Sequence, residues 1–150
     1  MIHYRMTFAL LLALGLSAMA HATPLVVQGE WETTATINAP QGPMAFHTKN
    51  CNKGQDVSQI MPKQANAHCK PWQESSSNGG RDVVLRGECT QNGPTPGQNM
   101  LMHVEAKINI AEDGRSLTGT TQASGEVNGF TFSSPPTQFS AKYIGACPTH

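Results

Sequence analysis

The sequence predicts a mainly β protein: a single antiparallel sheet of about seven strands, curled into a barrel or half-barrel. One short helix or turn is expected near residues 56–61, and two disulfides are expected to staple the sheet. Three observations carry this reading. Apolar and polar residues alternate with period two over most of the chain beyond Gln28. Glycine turns, among them Asp113-Gly114 and Asn128-Gly129, separate the alternating runs. Cys51, Cys69, Cys89 and Cys147 all lie downstream of an export-type N-terminus, and Cys69 and Cys89 are each ten residues from Gly79.

The N-terminus has Arg5 and no acid in residues 1–6, then an apolar run over 7–20. Ala20-His21-Ala22 fits an A-x-A cleavage site, with Ala18-Met19-Ala20 the alternative. The run falls short of the roughly 20 residues of a membrane-spanning helix, so a secretory signal peptide over 1–22 is expected in preference to an uncleaved anchor. No cysteine follows it to carry lipid and no Arg-Arg pair precedes it. Cleavage after Ala22 takes 22 of the 150 residues and leaves one β-rich domain, 23–150, with no integral membrane segment.

Residues 29–38 have the threonine-rich alternation of a strand, with Trp31, Ala35 and Ile37 on one face. Pro40-Gln41-Gly42-Pro43 breaks it, and residues 44–50 return as a second strand. Asp56 can cap a helical turn carrying Val57, Ile60 and Met61, which Pro62 stops. A hairpin follows, with arms 69–76 and 82–91. A three-residue loop at Asn78-Gly79-Gly80 pairs Cys69 with Cys89, Gln73 with Leu85 and Ser75 with Val83, and sets Trp72 opposite Arg86, guanidinium over indole.

The clearest hairpin joins residues 100–111 to 116–127 around Asp113-Gly114. Ile108 then meets Gly119 and Met102 meets Gly125, and small residues opposite bulky ones let a ribbon coil. Asn128-Gly129 turns the chain again, pairing Val127 with Phe130 and Gly125 with Phe132. Pro135-Pro136 interrupts that run, and Phe139, Ala141 and Tyr143 resume it. With Cys69–Cys89 taken as one bridge, Cys51 is left for Cys147, one of three connectivities four cysteines allow.

Composition limits function. Without Arg5, nine basic face ten acidic side chains, and no basic run supplies the electrostatic footprint of a nucleic-acid or membrane-surface binder. No C-x-x-C pair favours zinc over disulfides, no helical histidine pair marks a metalloenzyme, and no G-x-S-x-G elbow marks a hydrolase. The dense serine run, Ser75-Ser76-Ser77, is read as part of a turn. Glu30 and Glu32 share a strand face and read as a solvated edge in preference to an acid pair. Met100, Met102 and His103, with Met44, Met61 and His47 elsewhere, are soft ligands of the type that holds Cu(I), but alternation sends His103 to the opposite face from the two methionines. The expectation is no catalytic residue, no cofactor and no metal.

Gly29-Glu30-Trp31-Glu32 after the signal, the threonine-rich strand, the cysteine order, the glycine-rich meander and the closing Tyr143-Ile144-Gly145-Ala146-Cys147 together resemble a bacterial exported family, domain of unknown function 3617, over roughly residues 27–148. The resemblance implies a periplasmic location in a Gram-negative bacterium and carries over no activity or binding residue. Its Met/Pro-rich turn is reduced here to Pro40-Gln41-Gly42-Pro43-Met44. Three functions are weighed. The first is a non-catalytic domain binding a small molecule or lipid, lined by Trp31, Phe130, Phe132 and Phe139. The second is a structural or interaction module of the cell envelope, and the third a copper handler or an enzyme. A large apolar cavity favours the first and a filled interior the second.

Overall fold

The computed structural model describes residues 26–149 apart from 55, 63–66, 94, 96 and 128. The signal peptide expected over 1–22, His21 and His150 lie outside the described residues. Nine strands form one antiparallel sheet: β1 (Gly29–Ala39), β2 (Gly42–Asn52), β3 (Ala67–Cys69), β4 (Gln73–Ser77), β5 (Asp82–Asn92), β6 (Asn99–Ile110), β7 (Ser116–Val127), β8 (Phe130–Ser133) and β9 (Thr137–Gly145). Their order is β2-β1-β9-β7-β6-β5-β3. β4 continues the β3 position along β5 and β8 continues the β9 position along β7, so nine strands fill seven places. The sheet curls into a half-barrel whose two edges, β2 and β3/β4, are not paired with one another.

Curling follows from the large-against-small pairing. Ile108 faces Gly119 and Met102 faces Gly125 in the β6–β7 ladder, and Val127 and Gly125 face Phe130 and Phe132 across β7–β8, as the turns predict. A Cβ at Gly119 would stand 2.6 Å from Phe139 Cζ and 2.7 Å from the Lys107 carbonyl oxygen, so only glycine lets the aromatic ring of β9 come down onto β7. Ser134 bridges the break before Pro135: its N–H donates to the Ala123 carbonyl at 2.7 Å and its Oγ accepts from the Ala123 N–H at 3.0 Å.

The cysteine hairpin differs from its expected form in three ways. Its loop has four residues, closed by Ser77 opposite Asp82. Asn78, Gly79 and Gly80 all have positive φ there, and the Arg81 N–H reaches back to the Asn78 carbonyl at 3.4 Å. The extra loop residue sets Gln73 against Arg86, Ser75 against Val84 and Ser76 against Val83, one step from the predicted register. Cys69 still meets Cys89, because Lys70-Pro71-Trp72 interrupts the arm and adds a compensating residue between β3 and β4. Trp72 therefore turns onto the core face over Gly87, and Arg86 pairs with Glu105 at 2.9 Å in place of the indole. Ser75, Ser76 and Ser77 belong to β4, not to the turn.

Both disulfides form as expected, Cys69–Cys89 and Cys51–Cys147. Glu30 lies between Cys51 on one side and Gly145 on the other, so the second bridge straps β2 to the end of β9 across the start of β1. The odd residues of β1 and β9 and the even residues of β6 point into one core: Trp31, Ala35, Phe139, Ala141, Ala106, Ile108 and Ile110. Val26 and the 3₁₀ turn Val57–Gln59, with Ile60 and Met61, cover that face. Asp56 caps the turn by accepting from the Ser58 N–H at 2.8 Å, as its sequence position suggests. Trp31 Nε1 donates to the Val27 carbonyl at 2.9 Å and Thr33 Oγ1 to the Ile60 carbonyl at 2.8 Å, so the covering segments are tied down as well as packed.

Candidate functional site

The four aromatic residues expected to line a ligand cavity do not converge. Trp31, at 0% exposure, and Phe139 are parts of the packed core. Phe132 is half-buried on Gly125, and Phe130 is 79% exposed beside the β7–β8 turn. The soft-ligand group is likewise split: Met102 is buried, His103 is exposed, and His47 Nδ1 lies 3.0 Å from Thr34 Oγ1. Among the described residues no three His, Cys, Asp or Glu side chains gather where they could hold a metal ion.

Three glutamates are engaged in ion pairs with lysine or arginine. Glu32 accepts from Lys142 at 3.0 Å, and that hydrogen bond holds its carboxyl below the usual range. Glu88 is lowered in the same way by its hydrogen bond from Lys70, and Glu105 by that from Arg86. Glu74, opposite the buried Leu85 on the other face, shifts the other way: burial raises its pKa, and the nearby charge of Asp56 adds to the effect.

Two surfaces stand out among the described residues. One is the polar face of the sheet, where a groove of about 720 Å³ runs from β4 to β1. The ladder registers line up Ser77, Asp82, Asn109, Thr118, Ser140 and Thr34 across its floor, with Asn109 Nδ2 donating to Asp82 Oδ1 at 2.6 Å. The other is the β1–β2 hairpin, where Ile37, Met44 and Phe46 continue the core face beyond the covering segments and are 43%, 45% and 46% exposed. β2 pairs with β1 alone. Its inner end is anchored differently: Asn52 is fully buried, and the Nδ2 groups of Asn50 and Asn52 have no hydrogen-bond partner.

Sequence reasoning singled out neither surface. The T-x-T pairs Thr34/Thr36 and Thr118/Thr120 were a signal for the first. Residues 42–53 were a signal for the second, with Met44 and Phe46 among His47, Lys49 and Lys53 and no acid.

Fold and surfaces together define a small, disulfide-stapled antiparallel half-barrel with a filled interior and one long free edge. No helix among the described residues is long and apolar enough to cross a membrane. The chain belongs to the family described as protein of unknown function (DUF3617), whose model matches residues 26–147. No curated protein and no solved structure matches it.

Proposed function

We propose that this chain is a non-catalytic interaction module of the bacterial cell envelope, exported to the periplasm, that presents sheet surface to another envelope component. The observation that carries this is the filled interior: Trp31, Ile60, Leu85 and Ile110 occupy the space a barrel-type binding protein keeps for its ligand. Export is supported by the signal-like N-terminus and by the two disulfides, which persist in oxidising compartments. The non-catalytic reading is supported by the engagement of Glu32, Glu88 and Glu105 in ion pairs on an open surface.

A second reading, small-molecule binding, is favoured by the groove on the polar face. Its lining sets Thr, Ser and Asn side chains beside Val84, Ile108 and Phe139, which suits a small ligand with both hydroxyl groups and apolar surface. Native mass spectrometry of the protein purified from its own envelope separates the two. A companion protein at defined stoichiometry is the expected result, and a retained small molecule without a companion would replace the first reading by the second.

A further inference from the structure

We propose that the free edge of β2 is a docking site for an extended peptide segment of a partner protein in which apolar residues alternate with acidic ones. This rests on the reading of the chain as an interaction module and names the chemistry of its partner.

The two sheet edges differ in what they can template. The β3/β4 edge is broken into pieces of three and five residues by Lys70-Pro71-Trp72. β2 runs eleven residues without interruption and lacks a backbone N–H only at Pro43. Its ladder starts at a two-residue turn with Ala39 opposite Gly42. In such a hairpin the hydrogen-bonded pairs alternate with pairs whose backbone groups point away. The N–H and C=O groups of Ala45, His47 and Lys49 therefore face outward, and nothing among the described residues pairs with them. An extended strand is the partner that satisfies such a row.

Side chains specify that strand further. On the core face, Met44 and Phe46 stand half-exposed at the very edge, where a docking strand would bring its own apolar residues alongside. On the polar face, His47 and Lys49 flank the same edge, with Lys53 just beyond it. Glu32 sits opposite Lys49 on β1, accepts from Lys142 and feels the charges of Lys49 and His47 as well, so one carboxylate is shared among several cations. Residues 42–53 contain no acid, and the carboxylate opposite Lys49 is shared with Lys142, so the edge offers an excess of positive charge on one face and apolar surface on the other. A second copy of this chain lacks the complementary charge, because its β2 repeats the same cations.

The experiment uses the mature chain and a synthetic peptide of about ten residues, the span of β2, alternating valine with glutamate. Titration followed by amide NMR is expected to shift Ala45, His47 and Lys49 most. Ala45→Pro removes one outward N–H from an edge strand, a position where proline is tolerated, and is expected to weaken binding at least about tenfold. Lys49→Glu is expected to weaken the glutamate peptide and strengthen a valine–lysine one, a reversal that loss of folding would not produce. Equal affinity for the two peptides, or binding unaffected by Ala45→Pro, overturns the proposal. So does a self-associated dimer in sedimentation that Ala45→Pro dissolves, although the interaction-module reading survives it. A companion from the envelope that stays bound to the Ala45→Pro variant likewise overturns the β2 site alone, whereas a small molecule in place of any companion overturns both.

Discussion

The indole of Trp72 lies on Gly87, so close that a Cβ at residue 87 would stand 2.6 Å from Trp72 Cε3. The one-residue register step between β3 and β4 creates this contact, and it replaces the expected stacking of Trp72 on Arg86. Gly87→Ala should therefore cost about 1–3 kcal/mol in urea denaturation through overpacking. In a Trp72→Ala background the same change should cost much less, and a double-mutant cycle reads the difference. Additive effects would show that the indole does not rest there.

Gly119 lies under Phe139 in the same manner, but backbone as well as side chain crowds it. Gly119→Ala should destabilise by about 2–3 kcal/mol, with Phe139→Leu in the same chain recovering only part, because the Lys107 carbonyl remains in place. Full recovery would mean that the ring alone enforces the glycine.

Trp31 fills the interior and hydrogen-bonds the Val27 carbonyl at 2.9 Å. Trp31→Ala should cost about 3–5 kcal/mol and expose the core to a hydrophobic dye. A loss under about 1 kcal/mol would contradict a filled interior and revive the ligand-cavity reading.

The two bridges close loops of different length, with sequence separations of 96 for Cys51–Cys147 and 20 for Cys69–Cys89. In the chain-entropy account, removing the first by paired serine substitution should cost about 4–5 kcal/mol and removing the second about 3. Thermal unfolding of the two variants ranks them, and the reverse order would show that local packing outweighs loop length.

Acid response has two opposed parts. Glu74 is raised by burial and by Asp56, so its neutral form favours the fold: the contribution is present below the ordinary glutamate pKa and lost as pH rises through the raised one. Glu74→Gln should thus stabilise at neutral pH, by about half a kcal/mol or less at this largely solvated position, with no gain in acid. Glu32, Glu88 and Glu105 are lowered by their cation partners. Their contribution is present above the ordinary glutamate pKa and lost as pH falls through the lowered values. Glu105→Gln should accordingly flatten the acid limb of a stability–pH curve.

What was legible lay close together along the chain. Asp113-Gly114 and Asn128-Gly129 dictate their registers because a tight turn between alternating arms leaves one pairing that keeps apolar residues on one face. The length of the Cys69 loop is not legible in the sequence, because three residues with positive φ, one of them Asn78, fit a four-residue loop as well as a three-residue one. Only the interruption at Pro71 brought the cysteines back into line.

The candidate surfaces were less legible. Met44 and Phe46 alternate like any core strand, and nothing local tells an edge from a centre. Trp31 and Phe139 read as core or as cavity lining alike in the sequence, because burial in a core and exposure in a cavity ask for the same side chains.

By itself the sequence determined the alternation, the hairpins at Asp113-Gly114 and Asn128-Gly129 and the family, and it narrowed the cysteine pairing to three connectivities, because each depends on neighbours in the chain or on a short list of partners. Tertiary structure decided that β1 pairs with β9 at the far end of the chain, that Val57, Ile60 and Met61 fill the interior, and that β2 is left as an edge. Such long-range contacts depend on how volumes pack and on which loops can close, and neither is written in any short window of residues.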